Sequence, residues 1–146
     1  MQHQTIMIID DDQDDRDFFF EALMEVDNEC GFLAASNGID AIKSLNHAGT
    51  PPPDMIFLAL NMPLMNRFQC QEKIRNISAF KHTPVIIYTT PYAVENKESY
   101  KELNPVYFLS KPTRYNEIVR TLTFLLKNKN WENDEYWKEK VINLDE

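Results

Sequence analysis

The chain has 146 residues, 43% of them hydrophobic, 26% charged and 12% aromatic, which is the balance of one folded globular domain and excludes a largely disordered chain. At this length a domain buries roughly two-thirds of its unfolded surface, so one core forms without disulfides or a structural metal. The net charge of −8 argues against direct nucleic-acid binding, and no apolar stretch approaches the roughly 20 residues of a membrane span.

Residues 5–9 open the chain with an apolar run that reads as a strand and leads directly into Asp10-Asp11-Asp12. Aspartates come so early that no signal peptide is expected. The first 29 residues hold ten carboxylates and one Arg, and six aspartates (Asp10, Asp11, Asp12, Asp14, Asp15 and Asp17) fall within eight positions. A helix N-terminus attracts anions, which accounts for Asp14, Asp15 and Asp17 on a first turn. It accounts less well for Asp10 and Asp11 at the end of an apolar run.

A helix follows over 14–28, with Phe19, Ala22, Leu23 and Val26 at helical spacing. A weaker strand follows over 32–36, then a helix over 38–47 that is ended by Pro51-Pro52-Pro53. Next come a strand over 55–60, a helix over 67–77, a strand over 85–89, a polar helix over 93–103 and a strand over 106–109. A last helix spans 114–127, with Thr113 as its expected N-cap.

The four stronger strands are almost continuously apolar, as in a parallel sheet covered on both faces. Alternation of strands and helices implies an α/β fold, a doubly wound five-stranded parallel sheet with helices on both faces. Functional groups then belong at the carboxyl ends of the strands. Asp10-Asp11-Asp12, Asn61, Thr89-Thr90 and Ser110-Lys111-Pro112 all fall at that edge. Carboxylates there suit a hard divalent cation such as Mg²⁺, and a hydroxyl with an ammonium suits an oxyanion such as phosphoryl.

With these residues the chain resembles the receiver domain of two-component response regulators, over about residues 4–127. The resemblance rests on Ile8-Ile9-Asp10-Asp11-Asp12, on Pro53-Asp54 through Ala59-Leu60-Asn61-Met62-Pro63, on Val85 through Thr89, and on Phe108-Leu109-Ser110-Lys111-Pro112. The successive steps Asp11 to Ala59, Ala59 to Thr89 and Thr89 to Lys111 are 48, 30 and 22 residues, similar to the family's spacings. The resemblance implies a flavodoxin-like (βα)5 fold and no enzyme activity. It implies Asp10 and Asp11 as the acidic pair that organises Mg²⁺, with the Asn61 backbone carbonyl beside them. Thr89 resembles the switch hydroxyl, Lys111 the lysine that pairs with the phosphoryl group, and Phe108 the rotating aromatic. Partners would be proteins: a histidine kinase, a phosphotransfer protein or a downstream signalling protein.

One position departs from the family. Its phosphoacceptor aspartate should stand at 59, where this sequence has Ala59. A methyl group cannot attack phosphorus, so no aspartyl phosphate forms there. A metal ligand is lost as well, so Mg²⁺ binding should be weakened, and Lys111 should turn to Asp10 or Asp11. Asp54 lies about five residues from that edge, roughly 17 Å along a strand, too far to replace it. Leu64 and Arg67 stand where the family usually has Gly, which implies a reshaped or strained loop. Ala59 belongs either to a natural degenerate receiver or to an engineered variant of a phosphorylatable parent. The altered loop favours the first.

The expected module is therefore a receiver at residues 1–127 that signals by protein contact independently of phosphorylation. Tyr92, Tyr100, Tyr107 and Arg114 are candidates for its contact face. Residues 128–146 form an extension in which Trp137, Val141 and Leu144 have the spacing of a short amphipathic helix. Docking on its own domain is the expected role, with a homodimer contact or partner peptide as alternatives, and the remaining length favours a stand-alone receiver. An enzyme alternative is a haloacid-dehalogenase-type phosphatase with Asp10 as nucleophile and Asp12 as acid/base. Asp14 stands where that family has Thr or Val, and no acidic pair follows the fourth strand. Cys30 and Cys70 share no partner motif, so a reduced cytoplasmic protein is expected, and with His3, His47 and His82 they lack zinc spacing.

Overall fold

A computed structural model describes residues 3–59, 65–89, 106–128 and 131, with the backbone alone for Arg67, Thr89, Val106 and Phe108. Five strands, β1 (Thr5–Ile9), β2 (Gly31–Ala35), β3 (Met55–Ala59), β4 (Val85–Thr89) and β5 (Val106–Ser110), form one sheet. All pairings are parallel and the order is β2-β1-β3-β4-β5. The helices are α1 (Gln13–Val26), α2 (Gly38–Asn46), α3 (Arg67–Arg75) and α4 (Tyr115–Lys127), with a 3₁₀ turn at Ser78–Phe80.

The continuous apolar runs have a direct cause. Successive side chains of a strand point to opposite faces, and here both faces are covered. Met7, Ile9, Ile56, Leu58, Val85 and Ile87 pack with Ala41, Leu45, Cys70 and Ile74 of α2 and α3. Ile6, Ile8, Phe57, Ile86, Tyr88 and Leu109 pack with Phe19, Leu23, Ile118 and Leu122 of α1 and α4. Both cysteines are buried and free. Burial pushes the Cys30 thiol up to about 11 and the Cys70 thiol up to about 12, so neither is a ready nucleophile.

The chain runs from β1 outward to β2, then returns to β3 on the other side of β1. The connections after β1 and β3 therefore leave in opposite directions and open a crevice at their carboxyl ends. Asp54 lies at the far end of the sheet, where its Oδ2 accepts the Thr5 N–H at 2.8 Å. Gly31 is required beside it, because a Cβ there would lie 2.6 Å from Thr5 Oγ1.

Several boundaries differ from the sequence reading. α3 stops at Arg75 rather than at 77, and Ile77 leads into the 3₁₀ turn. α4 begins one residue late: Arg114, not Thr113, is the N-cap, and it makes no side-chain capping bond. β2 starts at Gly31 and ends at Ala35, and β5 runs on to Ser110. Arg67 is the first residue of α3, a conformation any L residue adopts, so no strain is needed there. The expected helix over 93–103, the loop residue Leu64 and the extension beyond 131 lie outside the described residues. Trp131 is buried at 5% exposure and its ring packs on Tyr107, centroids 4.9 Å apart.

Candidate functional site

β1 delivers Asp10 to the carboxyl edge, where its N–H still donates to the Ala35 carbonyl of β2 at 3.0 Å. Asp10 is only 1% exposed. Its Oδ1 accepts the Asp12 N–H at 3.0 Å, and its carbonyl accepts Arg16 Nη1 at 2.7 Å. Asp12 then caps α1, its side chain accepting the Asp15 N–H at 3.1 Å. This cap turns the chain so that Asp14 and Asp15 sit in the first helical turn. There they face the positive end of the helix dipole, as the sequence suggests.

Lys111 reaches in from the end of β5. Its Nζ lies 2.8 Å from Asp10 Oδ2 and 2.6 Å from Asp15 Oδ2. It also lies 5.5 Å from the centroid of the Tyr88 ring. The expected lysine partner Asp10 is thus found, but the second partner is Asp15 rather than Asp11. Asp11 is exposed, and among the described residues no ion pair involves it. Asp15 escaped the sequence reading because it looks like ordinary helix-dipole decoration. Its position on the third residue after the Asp12 cap is the one available signal.

Burial raises the Asp10 pKa, and the hydrogen bonds from Lys111 and the Asp12 N–H only partly offset this. For Lys111, burial pulls downward, but hydrogen bonds to Asp10 and Asp15 outweigh it and the pKa is raised. The ammonium is therefore firmly charged at neutral pH, and it neutralises a carboxylate that would otherwise be expensive to bury.

Ala59 ends β3, is fully buried, and pairs in register with Tyr88 of β4. Its methyl group offers no lone pair to a metal, a phosphoryl group or Lys111. Thr89 is the last residue of β4 and pairs in register with Ser110, next to Lys111. The side chains of Thr89 and Phe108, and all of Asn61, lie outside the described residues. So do Tyr92 and Tyr100. Tyr107 packs against Trp131, which makes local packing its role, while Arg114 is exposed at the start of α4.

Among the described residues, the edge offers Asp10 and Asp11 to a metal ion. Mg²⁺ prefers six oxygen ligands at near-octahedral geometry. Among the described residues, both oxygens of Asp10 are engaged, position 59 supplies no carboxylate, and Asp11 is exposed. Among the described residues no cluster of three or more His, Cys, Asp or Glu is arranged to hold a metal.

A family model for the response regulator receiver domain matches residues 6–123. The chain belongs to the response regulator receiver family, whose members are signalling modules of two-component systems. Protein PilG of Pseudomonas aeruginosa is 29% identical over 114 residues, covering 78% of this chain and 81% of PilG. The Vibrio cholerae chemotaxis protein CheY4 is 25% identical, with a TM-score of 0.70 over 83% of this chain and 97% of CheY4. The Mn²⁺-bound response regulator Rcp1 is 21% identical, with a TM-score of 0.71 over 86% of this chain and 96% of Rcp1, and shares the fold. No helix among the described residues is long and apolar enough to cross a membrane.

Proposed function

We propose that this receiver signals through protein contacts without being phosphorylated at position 59. The observation that carries the proposal is the pairing of Ala59 with an occupied lysine. Ala59 stands, fully buried, where the family's acceptor carboxylate is expected, and Lys111 is held by Asp10 and Asp15 instead. In a phosphorylatable receiver, a phosphoryl group adds nearly two negative charges and biases a two-state element. Here no covalent bond to phosphorus can form at position 59, so that bias is missing. The role of this chain is then that of a contact surface for a histidine kinase, a phosphotransfer protein or a downstream protein, with its equilibrium set by the partner.

In this reading Asp10 and Asp11, with the Asn61 carbonyl, are the residues left to meet Mg²⁺, and they hold it weakly. Thr89, Lys111 and Phe108 keep the switch positions without the phosphoryl group that drives them. Arg114 remains on the contact face. Residues 1–127 are the receiver, and the segment from 128 is an extension that docks back through Trp131. The engineered-parent reading predicts the same behaviour for this chain and differs only in the origin of Ala59.

Amide spectra of the full chain with Mg²⁺, recorded before and after addition of acetyl phosphate, test the proposal. The two spectra should superimpose. Shifts spreading from Lys111 along β5 into α4 after phosphodonor addition would overturn it.

A further inference from the structure

The chain holds one Asn-Gly step, Asn37-Gly38, and it falls at the start of α2. Packing fixes the glycine there. A Cβ on Gly38 would lie 2.7 Å from Met65 Sδ and 3.0 Å from Met65 Cβ. As the first helical residue, Gly38 has an N–H with no intrahelical acceptor. Its nitrogen is thus neither shielded by a side chain nor held by the helix ladder.

One residue holds the Asn37 side chain at both ends. Oδ1 accepts the Asp40 N–H at 2.8 Å, and Nδ2 donates to Asp40 Oδ2 at 3.0 Å. The Asn37 backbone is extended, with ψ at 169°. The Gly38 nitrogen reaches Asn37 Cγ only by closing a five-membered ring. Such a ring needs Cβ and that nitrogen eclipsed about the Cα–C bond, and at this ψ they are staggered. Ring closure therefore requires Asn37 to rotate out of its cap and give up its bonds to Asp40.

We propose that Asn37 is a site of spontaneous deamidation gated by its own helix cap. Out of the cap, the Gly38 nitrogen attacks Asn37 Cγ. The new C–N bond closes a succinimide, the Cγ–Nδ2 bond breaks, and ammonia leaves with the proton that Gly38 loses. Water then opens the ring at either carbonyl and gives aspartate or isoaspartate at position 37. Either product undoes the cap. Aspartate turns the Nδ2 donor into a carboxylate oxygen facing Asp40 Oδ2, and like charges repel. Isoaspartate lengthens the main chain by one carbon and carries the side chain away from the Asp40 N–H. Both add a negative charge at the carboxyl end of β2, two residues past Ala35, whose carbonyl accepts the Asp10 N–H. The proposal does not depend on position 59.

The test ages the full chain at pH 8, folded and in guanidinium chloride. Peptide mass spectrometry locates the exchange of NH₂ for OH, and methylation by an isoaspartate methyltransferase counts isoaspartate. Modification should map to Asn37 and run roughly tenfold slower in the folded chain than in the denatured one. Asp40→Ala, at an exposed position, keeps the backbone N–H but releases Nδ2, and should speed the folded-state reaction about fivefold. Asn37→Ser retains a capping side chain and should abolish the reaction at this position. Absence of modification at Asn37 in both the folded chain and Asp40→Ala, equal rates in folded and denatured chains, or an unchanged rate in Asp40→Ala would overturn the proposal.

Discussion

The two ends of the sheet each hold a buried charge, with different partners among the described residues. At the amino end, Arg75 is buried and donates through Nη1 to the carbonyls of Phe80 and Thr83, at 2.7 and 2.6 Å. Burial lowers its pKa to about 10, so it stays charged at neutral pH. At the carboxyl end, charge meets charge: Lys111 joins Asp10 and Asp15, residues about a hundred positions away in sequence. Arg75 stitches a loop to the helix just before it. The carboxyl-end cluster joins β1, α1 and β5, with Asp10 also closing the turn to Asp12. Charge gathered from distant parts of the chain at the switch point of a doubly wound sheet points to a binding edge.

Arg75→Met should produce the largest loss of stability among the substitutions considered. It removes the charge-assisted hydrogen bonds to Phe80 and Thr83 and strands those two carbonyls, a loss of about 3 kcal/mol. Denaturant melts measure it, and the amide shifts of Asp10 and Lys111 should stay in place. If they move, the two ends are not independent.

Lys111→Met should lose about 2 kcal/mol at pH 7, less than a fully enclosed pair because the lysine side chain is partly exposed. The pH dependence has a definite sign. Asp10 has a raised folded pKa and without Lys111 it rises further, so the folded state binds more protons than the unfolded state in the window above the ordinary aspartate value of 3.8. Stability there falls as pH rises. The deficit of the variant should therefore shrink as pH is lowered from 7 toward 5. A deficit independent of pH would break the assignment of Asp10 as the stranded charge.

Ala59→Asp introduces a carboxylate in a fully buried position at the end of β3, the strand that pairs with β1. Without Mg²⁺ it should lose about 1 kcal/mol through like-charge crowding, and added Mg²⁺ should recover it. Calorimetry should show tighter Mg²⁺ binding than in the unsubstituted chain. Equal binding in the two proteins would mean that position 59 does not face the metal.

The smallest effect belongs to the amino end. His3 bridges Asp27 and Glu29, at 2.9 and 2.5 Å. The hydrogen bond to Asp27 is the main cause that raises the His3 pKa above 6.5, and the same bond lowers that of Asp27 below 3.8. Stability from His3 is fully present below about pH 6.5 and fades as pH rises through its folded value. Stability from Asp27 is present above pH 3.8 and fades as pH falls through its lowered folded value. His3→Ala should thus lower Tm slightly at pH 5.5 and still less at pH 8.5.

Strand residues such as Ile6–Ile9 and Ile56–Leu58 were legible because burial on both faces leaves continuous apolar runs. Asp10 and Lys111 were legible together because the fold class places strand ends along one edge. Three features were not. Asp15 pairs with Lys111 only because the Asp12 cap sets the direction of α1, a tertiary consequence that no spacing rule contains. Arg75 falls inside the helix expected over 67–77, and its burial depends on where the 3₁₀ turn folds back. Thr113 was favoured as a cap on residue preference, yet packing of α4 on the sheet starts the helix one residue later.

The most direct measurement is the intact mass of the full chain after incubation with acetyl phosphate and Mg²⁺, alongside the Ala59→Asp variant. The account predicts no added phosphoryl group on the chain as it stands and one on the variant. A stoichiometric phosphoryl group on the unsubstituted chain would contradict it.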